Sequence, residues 1–300
     1  MAVARLIKRF ARRILPQRVV EGLSPAPPFD NGYAWLNHAF SALTKDTRRA
    51  QRPQYVWGVV QGAALARVLG VPRISVLEFG VAGGFGLLAL ESTAYAVARM
   101  TGVQIDVVGF DTGVGLPKPE DVRDQPNMWF EGQLPMDQQR LKSALRFAKL
   151  RLGPVKETVP SFIAEGAAPV AFVSIDVDLY SSTRDALVLF TSDYGHLLPR
   201  VVTYFDDIFG HTYNDFCGER LAIGEFNHAH AQRKISPIHG LRYFLPRSAS
   251  GELWPDGMHW AHFFEHPSYS TFDSIQKGMF QSIEGESIRR PVDASARRVG

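Results

Sequence analysis

Two stretches of this 300-residue chain place chemically capable residues at the ends of apolar runs. The first runs from Val76 to Asp111. A short apolar run ends in Glu78-Phe79, then Gly80, Gly83, Gly84 and Gly86 follow, and Leu87-Leu88-Ala89-Leu90 opens a helical pattern. About 25 residues later a second apolar run, Ile105 to Phe110, ends in Asp111. A glycine loop between a buried strand and a helix N-terminus exposes bare backbone N–H groups to a ligand. An acid at the tip of the next strand is placed to accept hydrogen bonds from ribose hydroxyls. This unit predicts a nucleoside cofactor site.

The loop spacing, G-x-x-G-G-x-G, differs from the G-x-G-x-x-G fingerprint of dinucleotide sites. Glu78, just before the loop, can take the amino group of an amino-acid cofactor directly or through water, which suits S-adenosylmethionine. Its other reading is a partner for the following helix N-terminus. The second stretch pairs Ile175-Asp176-Val177-Asp178 with Tyr204-Phe205-Asp206-Asp207. Each follows an apolar run, so two strand ends would gather three or four carboxylates. Packed like charges raise one another's pKa unless a cation neutralises them, and such hard oxygen ligands suit Mg²⁺. A metal held there can lower the pKa of an acceptor hydroxyl and orient it. The plainer reading makes one aspartate a helix cap, Asp178 before Ser181–Thr183 above all, and another simply solvated.

The elements that must position these groups alternate. Residues 33–69 read as helices, with Gln54 to Leu69 stopped at Gly70. Strands are expected at Ile74–Phe79, Ile105–Phe110, Val155–Val159, Val170–Ile175 and Val201–Phe205. Helices are expected over Gly86–Met100, 137–151, Thr183–Phe190 and Arg220–Ala231. Leu241–Leu245 and Met258–Phe264 suit a late antiparallel pair. Alternation of this kind predicts a mostly parallel sheet with helices on both faces, and its ligands bind beyond the C-terminal strand ends. Trp129 and Phe130 are candidates for a pocket wall. Trp254 and Trp260 are candidates for a substrate-facing wall in a histidine-rich region, His228, His230, His239, His259, His262 and His266. His262 and His266 have a zinc-like spacing, but HWAHFFEH reads as a strand, on which those two do not converge.

Composition narrows the class. The chain is 45% hydrophobic and 21% charged with a net charge of +3, an ordinary globular balance that implies no nucleic-acid partner. The single cysteine, Cys217, excludes an internal disulfide and a cysteine-rich zinc site. No 18-residue apolar run and no signal-peptide pattern is present, so a cytoplasmic location is expected. Residues 1–20 are basic and amphipathic, with Arg5, Lys8, Arg9, Arg12, Arg13 and Arg18. They suit weak contact with an anionic membrane surface, or packing on the body or a partner subunit. Pro25, Pro27 and Pro28 mark a linker.

At LEFGVAGG in 77–84, GFDTGVGLP in 109–117, SIDVDLYSSTRDAL in 174–187 and YFDD in 204–207, the chain resembles the macrocin/mycinamicin-type sugar O-methyltransferases. That family is class I, S-adenosylmethionine-dependent and Mg²⁺-dependent. The resemblance spans about residues 74–230. It implies a Rossmann-like α/β fold with a seven-stranded sheet whose last strand is reversed. The methyltransferase domain would then cover residues 31–285, with a helical part over 33–70, C-terminal strands over 235–285 and a loose tail over 286–300. By position it implies that Glu78, Phe79, Gly80 and Gly83 line the methionine end of the cofactor and that Asp111 and Thr112 meet the ribose side. Asp176, Asp206 and Asp207 would bind the metal. Asp176 and Asp178 would stand at the reacting hydroxyl, and the sequence leaves open which of those two is the metal ligand. Leu198-Pro199-Arg200 and Ile208 depart from the family pattern. The implied acceptor is a small hydroxylated molecule carrying a sugar, and a homo-oligomer is also implied. Two other readings share parts of the pattern: an NAD-type oxidoreductase, and a non-catalytic cofactor-binding module held at a membrane surface.

Overall fold

The computed structural model describes residues 32–210, 213–246, 249 and 251–271. The basic segment over 1–20, the linker after it and the tail over 286–300 lie outside them. Seven strands form one sheet: β1 (Arg73–Phe79), β2 (Gln104–Asp111), β3 (Lys149–Leu152), β4 (Val170–Ile175), β5 (Leu197–Phe205), β6 (Arg233–Pro237) and β7 (Met258–Phe263). Their order is β3-β2-β1-β4-β5-β7-β6. β2, β1, β4 and β5 pair in parallel, as do β3 and β2, and β7 runs antiparallel to both β5 and β6. This is the mostly parallel α/β sheet with a reversed last strand that was expected.

Among the described residues eight helices flank the sheet: α1 (Gly32–Leu43), α2 (Thr47–Ala50), α3 (Pro53–Val68), α4 (Phe85–Thr101), α5 (Gln138–Ala144), α6 (Val155–Ala164), α7 (Tyr180–Leu187) and α8 (Gly218–Ala229). Strand alternation divides the core. Ile74 and Val76 point into the layer built by α1, α3 and α4, while Leu77 and Phe79 point into the layer built by α6, α7 and α8. Helix α3 lies unusually close to the sheet. A Cβ at Gly58 would stand 2.2 Å from the Phe172 ring, and one at Gly62 would stand 2.9 Å from the Ala171 carbonyl oxygen.

The elements carrying the expected site residues form where their sequences predict. The weaker strands do not. The third strand is Lys149–Leu152, and Val155–Val159 is the start of α6. Gly153, at φ +138°, turns the chain between them, and Pro154 caps the helix start. The helix expected over 137–151 ends at Ala144. Buried Glu91 holds the segment beyond it, accepting the backbone N–H groups of Arg146, Phe147 and Ala148 at 2.9, 2.7 and 2.8 Å. The late pair of β7 is β6, not Leu241–Leu245, which is a 3₁₀ turn over Leu241–Phe244. β6 buries only Ile235 of its five residues, so its apolar signal is faint, as edge strands tend to be. No helix among the described residues is long and apolar enough to cross a membrane.

Candidate active site

The strand order reverses between β1 and β4, where an open α/β sheet leaves a crevice at its carboxyl edge. The tips there are laced in step. Gly80 N–H donates to the Phe110 carbonyl at 2.9 Å, Asp176 N–H to the Phe79 carbonyl at 3.0 Å, and Asp206 N–H to the Ile175 carbonyl at 3.1 Å. The crossing at Gly80 is tight. It has φ +84°, and a Cβ there would lie 1.6 Å from the Asp176 carbonyl oxygen, so no side chain fits. One cleft opens over these tips, lined by Gly80, Asp111, Thr112, Asp176 and Asp178 among others.

Glu78 points to the α3–α4 side. Its Oε1 accepts from the Tyr55 hydroxyl at 2.7 Å, while Oε2 is buried with no partner among the described residues. Burial pushes its carboxyl up to about 8, against a partial pull downward from the Tyr55 hydrogen bond. Gly86, in the first turn of α4, makes room for it: a Cβ there would stand 1.8 Å from Oε1. An orphaned, desolvated carboxylate oxygen beside a glycine loop fits a cationic ligand group.

Asp111 does more than the sequence suggests. Its Oδ2 accepts the N–H groups of Val81 and Ala82, each at 2.9 Å, and its Oδ1 accepts that of Gly113 at 2.6 Å. The carboxylate therefore shapes the glycine loop and its own turn, and still has lone pairs on the cleft side. The Thr112 hydroxyl donates to the Gly115 carbonyl at 2.6 Å and so closes the same turn. Phe79 is fully buried and stacks on Phe110 at 4.5 Å, on the side of the sheet away from Glu78. Its side chain belongs to the core. A Cβ at Gly83 would meet only the Phe85 ring, at an ordinary 3.7 Å.

Three carboxylates converge at the other end of the cleft. Asp176, Asp178 and Asp207 each offer an oxygen within 4.8 Å of the others. Asp178 reaches the group through a left-handed backbone, φ +61°, a conformation that Asp tolerates better than most residues. Asp206 and Asp207 point to opposite faces, as neighbours beyond a strand do. Asp206 Oδ1 accepts from the Tyr204 hydroxyl at 2.7 Å, whereas the Asp207 backbone N–H donates to Glu219 of α8. Asp206 stays outside the convergent trio but near enough to act on Asp176 through space. Burial, then the charges of Asp206, Asp207 and Asp178, push Asp176 well above the usual carboxylate range. Burial and the Asp207 charge push Asp178 up to about 8. Burial also raises Asp207, and the Tyr213 hydroxyl, which donates to its Oδ1 at 2.6 Å, partly offsets that. Asp207 Oδ2 is buried without a partner among the described residues. Hard oxygens crowded in this way, with one orphaned, fit Mg²⁺.

Sequence reasoning missed three contributors. Glu219, in the first turn of α8, is fully buried. Its Oε2 accepts the Asp207 N–H at 3.0 Å, and its Oε1 is orphaned. Tyr55 and Tyr213 bond Glu78 and Asp207 respectively. The only local signal for Tyr55 was a hydroxyl in an otherwise apolar helical run. Other expectations are corrected. Asp178 does not cap α7: the N-cap is Leu179, and the Asp124 carboxylate takes the Ser181 N–H at 2.7 Å. Trp254 packs on Phe40 and Trp260 on Trp57 in the α3 layer, so neither forms a substrate wall. Trp129 and Phe130 do not line the cleft, and Leu134 does. His262 is held by the Tyr269 hydroxyl at 2.9 Å and His266 by the Ser268 N–H at 3.0 Å, and the two form no metal cluster among the described residues.

No protein-family model matches the chain, and no curated protein matches it by sequence. Solved structures similar to it include CalS11, a calicheamicin methyltransferase, at 19% identity over 83% of this chain and 97% of that one, with a TM-score of 0.48. The O-methyltransferase NovP is similar at 17% identity over 69% of this chain and 78% of that one, TM-score 0.47. The O-methyltransferase TomG from Streptomyces achromogenes, involved in tomaymycin synthesis and solved with SAM, is 16% identical over 86% of this chain and 96% of that one, TM-score 0.38. These likenesses carry no residue role over to this chain.

Proposed function

We propose that the chain is an S-adenosylmethionine-dependent O-methyltransferase of the macrocin/mycinamicin type. It would methylate a hydroxyl on a sugar, a glycosylated natural product or a polysaccharide, with help from Mg²⁺. One observation carries the reading: Gly80 and Asp111 line the same cleft as Asp176 and Asp178, with orphaned Glu78 Oε2 beside the glycine loop. A dinucleotide oxidoreductase needs the first group and gives the second nothing to do.

In this reading Glu78 Oε2 takes the cofactor's ammonium, the loop from Gly80 to Gly84 admits its backbone close to the chain, and Asp111 meets the ribose. Asp176, Asp178 and Asp207 would hold the metal, with Asp206 contributing charge from outside the trio. S-adenosylmethionine supplies an electrophilic methyl group, and Mg²⁺ supplies positive charge at the acceptor oxygen. The protein's share is placement: it sets the acceptor hydroxyl beside the methyl group in a partly desolvated cleft. Asp176 and Asp178 line this cleft, and a carboxylate oxygen that the metal leaves free there is placed to receive the hydroxyl proton.

The deciding experiment supplies labelled S-adenosylmethionine and a panel of sugar-bearing acceptors, with Mg²⁺ or with EDTA. Label should pass to at least one hydroxylated acceptor and fall sharply in EDTA. Cofactor binding with no transfer to any acceptor would leave a non-catalytic binding module instead, and full activity in EDTA would remove the metal.

A further inference from the structure

Helix α3 belongs to neither cofactor motif, yet its first turn sets Tyr55 against Glu78, just before the glycine loop. Gly58 and Gly62 let it lie flat on β4, which carries Tyr55 to the gap between the tips of β1 and β4. There the Tyr55 ring packs edge-on to Phe172 at 5.7 Å between centroids. Glu78 and Ser174 sit opposite each other on those two strands. The Ser174 hydroxyl donates to the Tyr55 oxygen at 3.0 Å, and the Tyr55 hydroxyl donates to Glu78 Oε1 at 2.7 Å. All three side chains are buried. The chain of donors runs one way and ends on one carboxylate oxygen, and Oε2 is left without a partner among the described residues. Arg52, at the N-cap of α3, attracts Glu78 through space but gives it no hydrogen bond.

A buried carboxylate with one oxygen bonded and the other left without a partner makes poor structural sense, because an apolar side chain would fill the space without the desolvation cost. It makes sense if a ligand completes it. We propose that Tyr55 is a positioning residue of the cofactor site: backed by Ser174, it fixes Glu78 with Oε2 free to receive the α-ammonium of the methyl donor. This deepens the donor reading above and rests on it. Burial raises Tyr55 itself well above its ordinary range, so its hydroxyl keeps the proton it donates.

Calorimetry on the full chain tests the proposal with two probes, S-adenosylhomocysteine and 5′-methylthioadenosine, which lacks the amino-acid part. Tyr55→Phe keeps the ring and removes only the hydroxyl. It should weaken S-adenosylhomocysteine about tenfold and leave methylthioadenosine within about twofold. Ser174→Ala should act in the same direction but more weakly. Tyr55→Phe added to Glu78→Gln should cost little more than Glu78→Gln alone, since the two act as one unit. An equal loss for both probes would make Tyr55 purely structural, and no loss would also overturn the proposal. Wild-type protein that binds neither probe would overturn the donor reading together with it. Wild-type binding with no Tyr55 effect would overturn the proposal alone.

Discussion

At the scale of single residues, the site crowds buried carboxyl groups together. Asp176, Asp178, Asp207 and Glu219 are all pushed above the usual carboxylate range, with burial as the largest cause for each. Asp207→Asn should therefore act in opposite directions on two measurements. Methyl transfer should fall by about 100-fold or more. Melting of the metal-free protein should shift upward, by roughly 1 kcal/mol, as repulsion among the carboxylates is relieved. A variant that loses both activity and stability would argue for a structural Asp207. Glu78 makes a second, pH-dependent prediction. Its carboxyl moves from an ordinary 4.5 to about 8 on folding. Folding therefore favours its protonated form. The resulting stability is complete below about pH 4.5 and is lost as pH rises through 8, up to a few kcal/mol. Melts of wild type and Glu78→Gln between pH 5 and 8.5 should show the wild type losing ground steadily, since the other titrating groups are common to both. A constant gap would contradict the burial argument.

Among the elements, the strand tips and the glycine loop are one mechanical unit. Gly80 N–H bonds β2, the Phe79 carbonyl bonds β4, and Asp111 holds the N–H groups of Val81 and Ala82. The loop's glycines are not equivalent. Gly80 combines a left-handed backbone with a carbonyl at 1.6 Å from its would-be Cβ, while Gly83 meets nothing nearer than the Phe85 ring at 3.7 Å. Gly80→Ala should cost about 3 kcal/mol or more in a urea melt, because it parts β1 from β4. Gly83→Ala should stay within about 0.5 kcal/mol and register only in cofactor affinity. If both variants were equally stable, the tight crossing at Gly80 would be wrong.

For the whole molecule, the cofactor end and the carboxylate end meet at β4, whose tip carries Asp176 and whose Ser174 backs Tyr55. On the proposed reading a ligand at either end would bind only the folded chain, so each should raise its stability. At a hundred times its dissociation constant, S-adenosylhomocysteine should add about 2.7 kcal/mol, or roughly 5–10 °C in melting temperature. Mg²⁺ should add a separate increment that EDTA removes and that Asp207→Asn abolishes. Thermal shifts with each ligand alone and with both together measure this. A Mg²⁺ increment that persists in Asp207→Asn would place the cation elsewhere.

Local pattern was enough for the strand–loop–helix unit at Glu78–Gly86, for the acids at four strand ends and for the late strand at 258–263, because each lies within one short stretch. A glycine run, an apolar run and a terminal acid announce themselves within about ten residues. The strands at 149–152 and 233–237 were not legible. Their residues are half exposed, and backbone pairing rather than side-chain pattern selects them. Tertiary structure alone decided which carboxylates converge. The left-handed turn at Asp178 brings it in, and Asp206, tied to the Tyr204 hydroxyl, stays just outside the trio. It alone also brought Tyr55 to Glu78 and Glu219 to Asp207, contacts made by packed helices crossing the sheet edge. The sequence names the residues able to do chemistry, but the distances between them come from how helices pack on strands, and no local spacing encodes that.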